Sequence, residues 1–136
     1  VTAKNLARKI AQFALTKKAS DVVIVNLQNV TPVTDFFVIC SADSDTQVRA
    51  IADAIENGME KLGQGIWHNE GYSHLNWVLL DYVDVVAHVF RKEVRAYYNL
   101  ERLWGDAEFE YIQDRPEKLS KARKSRTRKS QKKESP

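Results

Sequence analysis

A chain of 136 residues, 43% hydrophobic and 10% aromatic, has room for one globular domain with a full core and is short for two. No apolar run approaches the roughly 18 residues that cross a bilayer and VTAKNLARKIAQF at the start has no secretory pattern, so the expected location is cytoplasmic, with no membrane partner. The net charge of +3 is unevenly placed: residues 115–136 hold ten Lys/Arg against Glu117 and Glu134, or +8, which leaves −5 on residues 1–114 and predicts an acidic domain (1–114) with a basic, disordered tail (115–136).

In chain order, Leu6, Ile10 and Phe13 with small alanines between them recur at helical spacing, so residues 3–17 are predicted as an amphipathic helix capped by Thr2. DVVIVNL (21–27) and DFFVICSA (35–42) are apolar, β-branched runs of strand length, kept apart by Pro32. Val48, Ile51, Ile55, Met59 and Leu62 define a second helix, which Gly63 closes. GIWHNEG (65–71) is a short strand, and NWVLLDYVDVVAHVF (76–90) folds back on itself as a hairpin around DYVD. KEVRAYY and LERLWGDA finish the domain as short helical pieces.

These elements predict an α/β (α+β) domain with a mixed, roughly five-stranded sheet and helices mainly on one face. The strands are apolar on both parities, the pattern of a sheet covered on both faces. Two amphipathic helices shield about one face, so part of the other is left for a partner. Trp77, Tyr82, Phe90, Tyr97, Tyr98 and Trp104 all fall in this half of the chain, and large aromatics are favoured interface anchors.

Other patterns carry chemistry less well. Asp43 and Asp45 have the spacing with which nucleotidyl-transferring enzymes hold magnesium, yet DSD also lies where a strand meets a helix and such residues cap backbone N–H groups. No phosphate-binding glycine loop accompanies them. His68, Glu70 and His74 offer three metal ligands without a second cluster, and Cys40 with His88 forms a nucleophile and base only if the fold joins them. Cys40 lies among apolar neighbours and is read as a buried structural cysteine. His88 reads equally as a satisfied strand histidine or as a polar contact in an apolar docking surface. In the tail, Lys121, Arg123, Lys124, Arg126, Arg128 and Lys129 suit phosphate-directed contact with RNA, or plain solvation.

ASDVVIVNL, TDFFVICSA, SDTQVRAIADAI, NEG, WVLLDYVDVVAHVF and RAYYNLERLWGDA resemble, in this order, the ribosomal silencing factor family, also called RsfS or Iojap, over about residues 3–108. The resemblance implies a nucleotidyltransferase-like shape without catalytic groups, metal or cofactor. It implies binding to the large ribosomal subunit through universal ribosomal protein fourteen, which sterically blocks joining of the small subunit and represses translation. It further implies that free members are often homodimers and that organelle relatives act in large-subunit assembly. By motif position the docking residues are Trp77, Leu80, Asp81, Tyr82, His88, Phe90, Tyr98 and Trp104. Members usually carry Gly where this chain has Ala42 and Val83, and because a branched Val disfavours positive φ, the hairpin turn is expected to be of another type. The competing readings are a metal-dependent nucleotidyltransferase-like enzyme using Asp43 and Asp45, a large-subunit assembly factor, and an RNA-binding module driven by the tail.

Overall fold

The computed structural model describes residues 2–112. The basic tail, with its six candidate RNA-contacting cations, lies outside the described residues.

α1 (Ala3–Leu15) starts at Thr2, whose hydroxyl accepts the Asn5 N–H at 3.1 Å. α2 (Asp45–Lys61) starts at Ser44, whose hydroxyl accepts the Gln47 N–H at 3.1 Å. The Gln47 side chain returns to the Asp43 N–H at 2.6 Å and also donates to the carbonyls of Lys17 and Lys18, both at 3.1 Å, tying the start of α2 to the end of α1. Gly63, at φ +78, takes the left-handed position just past the α2 cap.

The sheet has six strands in the order β3-β4-β5-β2-β1-β6: β1 (Ser20–Asn26), β2 (Phe36–Ala42), β3 (His68–Glu70), β4 (Trp77–Asp81), β5 (Val85–Arg91) and β6 (Glu108–Ile112). Among the described residues only β2 and β5 pair in parallel. That is one strand more than the sequence predicts. The additional strand is EFEYI, at β6, which pairs antiparallel with β1.

The period-2 alternation of strand side chains sorts the core into two layers. On the first face, Leu6, Ile10 and Ala14 of α1 and Val48, Ile51, Ile55 and Met59 of α2 bury Val22, Ile24, Val38, Cys40, Val78, Leu80, Val85 and Val89. The two helices also meet each other at Gly58, where an added Cβ would lie 2.6 Å from the Phe13 ring. On the second face, Val23, Val25, Ile39 and Phe90 are fully buried. Two short helices, α3 (Lys92–Tyr98) and α4 (Leu100–Leu103), run across this second face and pack Val94, Leu100 and Trp104 against it.

At the tip of the β4–β5 hairpin the expectation of a turn that spares Val83 a positive φ is overturned. Val83 sits at φ +75, with the Asp84 N–H bonded to the Tyr82 carbonyl at 2.9 Å, the hydrogen bond of the strained γ-turn. Asp81 holds it there by accepting the Val83 N–H at 2.7 Å. The Tyr82 N–H then bonds the Val85 carbonyl at 2.8 Å, so the local bonds compensate for a backbone conformation that a branched residue disfavours.

Candidate functional site

The second face is where the sequence-predicted docking residues have to be tested against geometry. Register fixes which of them share it. Trp77 lies opposite Phe90, Leu79 opposite His88, and His88 in turn opposite Ile39 of β2. With Phe37 and Trp104, these residues form a connected aromatic cluster. Trp77 stacks on Phe90 at 4.7 Å between ring centroids, Phe37 meets the edge of His88 at 4.4 Å and the Trp104 ring at 5.9 Å, and Tyr98 leans on Trp77 at 5.2 Å.

His88 sits at the centre of that cluster, 4% exposed. Its Nδ1 accepts the indole N–H of Trp77 at 3.1 Å. Burial alone pushes its pKa down to about 3, so the ring is neutral at physiological pH. A neutral ring accepting at Nδ1 must carry its proton on Nε2. Of its two ring nitrogens, one is satisfied by a neighbour, as the reading of a satisfied strand histidine has it, and the ring lies in the second layer.

Arg95 anchors the cover over this face. Its guanidinium donates to the Asp21 carbonyl at 2.6 Å, to the Ser41 hydroxyl at 2.9 Å and to Glu101 at 2.7 Å. The Asp21 carbonyl is available because the β1–β2 register shifts between Ser20 and Val23, with Asp21 at φ +50. One side chain thus fastens α3 to β1, β2 and α4. Around the cover, Tyr97, Tyr98, Leu103 and Tyr111 are more than half exposed, while Phe37, Trp77, Leu79 and Asp81 are partly so. Large side chains therefore rim a face whose centre is buried.

Four of the eight motif-assigned residues, Leu80, Tyr82, His88 and Phe90, are buried. Leu80 and Tyr82 point to the first face and belong to the core under α1 and α2, with Leu80 at 0% exposure. Phe90 is on the second face but fully buried under Trp77. Leu80 and Tyr82 face the other layer because neighbouring residues on a strand face opposite ways, whereas Phe90 and His88 lie on the second face beneath other side chains. Trp77, Asp81, His88, Tyr98 and Trp104 share the second face or its cover. Sequence reasoning missed Phe37 and Leu79, and the signal was the parity they share with His88 across the register.

The remaining chemical constellations come apart. Ser44 caps α2, Asp45 pairs with Arg91 at 3.2 Å and Asp43 with Lys92 at 3.0 Å, so the two acids are engaged by different cations. Cys40 faces α1 and α2, while His88 faces the opposite layer. His68 and Glu70 bond each other at 2.6 Å on the exposed edge strand β3. Among the described residues no group of three or more His, Cys, Asp or Glu is arranged to hold a metal ion, and no helix is long and apolar enough to cross a membrane.

A family profile described as "Ribosomal silencing factor during starvation" matches residues 1–136. The chain belongs to this family of ribosomal silencing factors. It is similar to the ribosomal silencing factor RsfS of Halalkalibacterium halodurans, 50% identical over 91 residues that cover 67% of this chain and 78% of the relative. The RsfS of Bacillus subtilis is 41% identical over 104 residues, covering 76% of this chain and 88% of the relative. A crystal structure of a Chromobacterium violaceum protein superimposes with a TM-score of 0.76 at 25% identity, covering 88% of this chain and 99% of that one. As a ribosomal silencing factor the chain is a translation regulator, and the mixed fold drawn from the sequence is that of its structural relatives.

Proposed function

We propose that this chain acts by steric exclusion: its second face docks on the large ribosomal subunit through universal ribosomal protein fourteen, blocks joining of the small subunit and so represses translation in the cytoplasm. The observation that carries this reading is the aromatic rim on the second face, where Trp77, Tyr98 and Trp104 surround a preformed apolar centre. Blocking a surface requires shape and anchors and no bond making. The acids that an enzyme of this shape would use are tied instead to Arg91 and Lys92. Within the face, Trp77, Tyr98 and Trp104 serve as anchors, Asp81 and His88 fix register, and Leu80, Tyr82 and Phe90 hold the platform from below. A homodimer of the free chain would use the same rim, and the basic tail would add salt-sensitive contact with ribosomal RNA.

The test is sedimentation of the purified chain with large subunits, wild type beside Tyr98→Ala, followed by addition of small subunits. Tyr98 is exposed, so its loss leaves the fold intact. The expected result is wild-type co-sedimentation with fewer joined ribosomes, and weaker binding by the variant. Absence of wild-type binding would overturn the proposal.

A further inference from the structure

Two hydrogen-bond donors on the second face are spent on nothing within the described residues. Nε2 of His88 and Nε1 of Trp104 are both buried and without a partner. The bond from Trp77 to Nδ1 fixes the His88 tautomer, so its Nε2 bears hydrogen, and the indole nitrogen of Trp104 can only donate. Phe37 packs against both rings, which places the two side chains in one aromatic cluster. A buried donor left without an acceptor is costly, and such groups are uncommon in folded proteins.

Above them lie α3 and α4, of seven and four residues, neither of which buries a residue completely. They meet at Asn99, a non-glycine residue at φ +47. Segments with so few buried side chains open locally at low free energy. The cluster holds no cation aimed at the two donors, since Arg95 is spent on Glu101, Ser41 and Asp21. A carboxylate there would be desolvated without compensation, whereas a neutral carbonyl has two lone pairs and a lower desolvation cost.

We infer that docking shifts the α3–α4 strap and that the partner protein inserts neutral carbonyl groups, which accept from the Nε2–H of His88 and the Nε1–H of Trp104. This rests on the docking reading above and assigns the two residues a specific role in it. A partner that lacks carbonyls at that place leaves two donors buried and unpaired, so the pair selects among surfaces of similar shape.

The discriminating probe is the full chain with Trp104→benzothienylalanine, in which sulfur replaces the indole N–H and the ring shape is kept. Binding to large subunits and thermal melting are measured for wild type and variant. The expected result is an unchanged or higher melting temperature with binding weaker by about tenfold, the worth of one buried hydrogen bond. Equal or tighter binding by the variant would overturn the inference while docking stands. A lower melting temperature would also overturn it, because the N–H would already be satisfied in the free protein. Failure of the wild type to bind would remove the docking reading itself.

Discussion

Trp77 and His88, on adjacent antiparallel strands, are joined by an indole N–H to Nδ1 hydrogen bond of 3.1 Å, and this bond sets the tautomer of the buried imidazole. Burial keeps the ring uncharged, and the pair satisfies one of its two nitrogens within an otherwise apolar strand.

The buried neutral His88 makes stability depend on pH. In the unfolded chain the ring takes up a proton near 6.5, and in the folded chain only near 3. Its contribution to stability is therefore full above about pH 6.5 and is lost as pH falls toward 3, at up to about 1.4 kcal/mol for each pH unit. His88→Gln keeps an acceptor for Trp77 and removes the titration. Urea unfolding at pH 7, 5 and 4 should show a smaller loss in this variant than in wild type, and parallel losses would contradict the assignment.

Val83 holds a positive φ that a branched side chain disfavours. Val83→Gly should raise stability by about 1 kcal/mol, the relief of strain less the greater freedom of glycine in the unfolded chain. The urea midpoint reports it. Because the Val83 side chain is 55% exposed, its removal opens no core cavity.

Gly71 has the reverse role. At φ +98 it sits where a Cβ would fall 2.0 Å from the Trp77 carbonyl. Gly71→Ala should cost more than about 2 kcal/mol, from strain and from pushing β4 away. Since β4 carries Trp77, this variant should also show altered tryptophan fluorescence.

Arg95 fastens the α3–α4 cover with charge-assisted hydrogen bonds, its side chain 11% exposed. Arg95→Ala should cost about 2–3 kcal/mol, and Arg95→Lys should recover little of it, because one ammonium cannot replace a planar fork directed at three acceptors. Hydrogen exchange over residues 92–104 should rise in both variants before the rest of the domain changes.

Cys40 is buried against α1 and α2, and burial raises its thiol pKa to about 12. Native protein should react with a thiol reagent at neutral pH only at the rate of unfolding, and immediately in denaturant. Rapid native labelling would contradict that burial.

Much of this architecture is legible along the chain because its causes are local. Leu6, Ile10 and Phe13 announce α1, DSD announces the start of α2, and Gly63 its end, since periodicity and capping act within a few residues. The ordered motifs also carry the family.

What the sequence could not assign follows from pairing across the chain. Strands 22–27 and 77–90 are apolar on both parities, so alternation does not say which residues face α1 and α2; register does, sending Leu80 and Tyr82 to one layer and Trp77 and His88 to the other. EFEYI becomes β6 only beside β1, and Val83 takes a disfavoured φ only because Asp81 and the closing hairpin hold it there. Local residue pattern by itself determined the helices, the core strands and the family; tertiary structure decided the face, because facing is set by contacts between residues far apart in sequence.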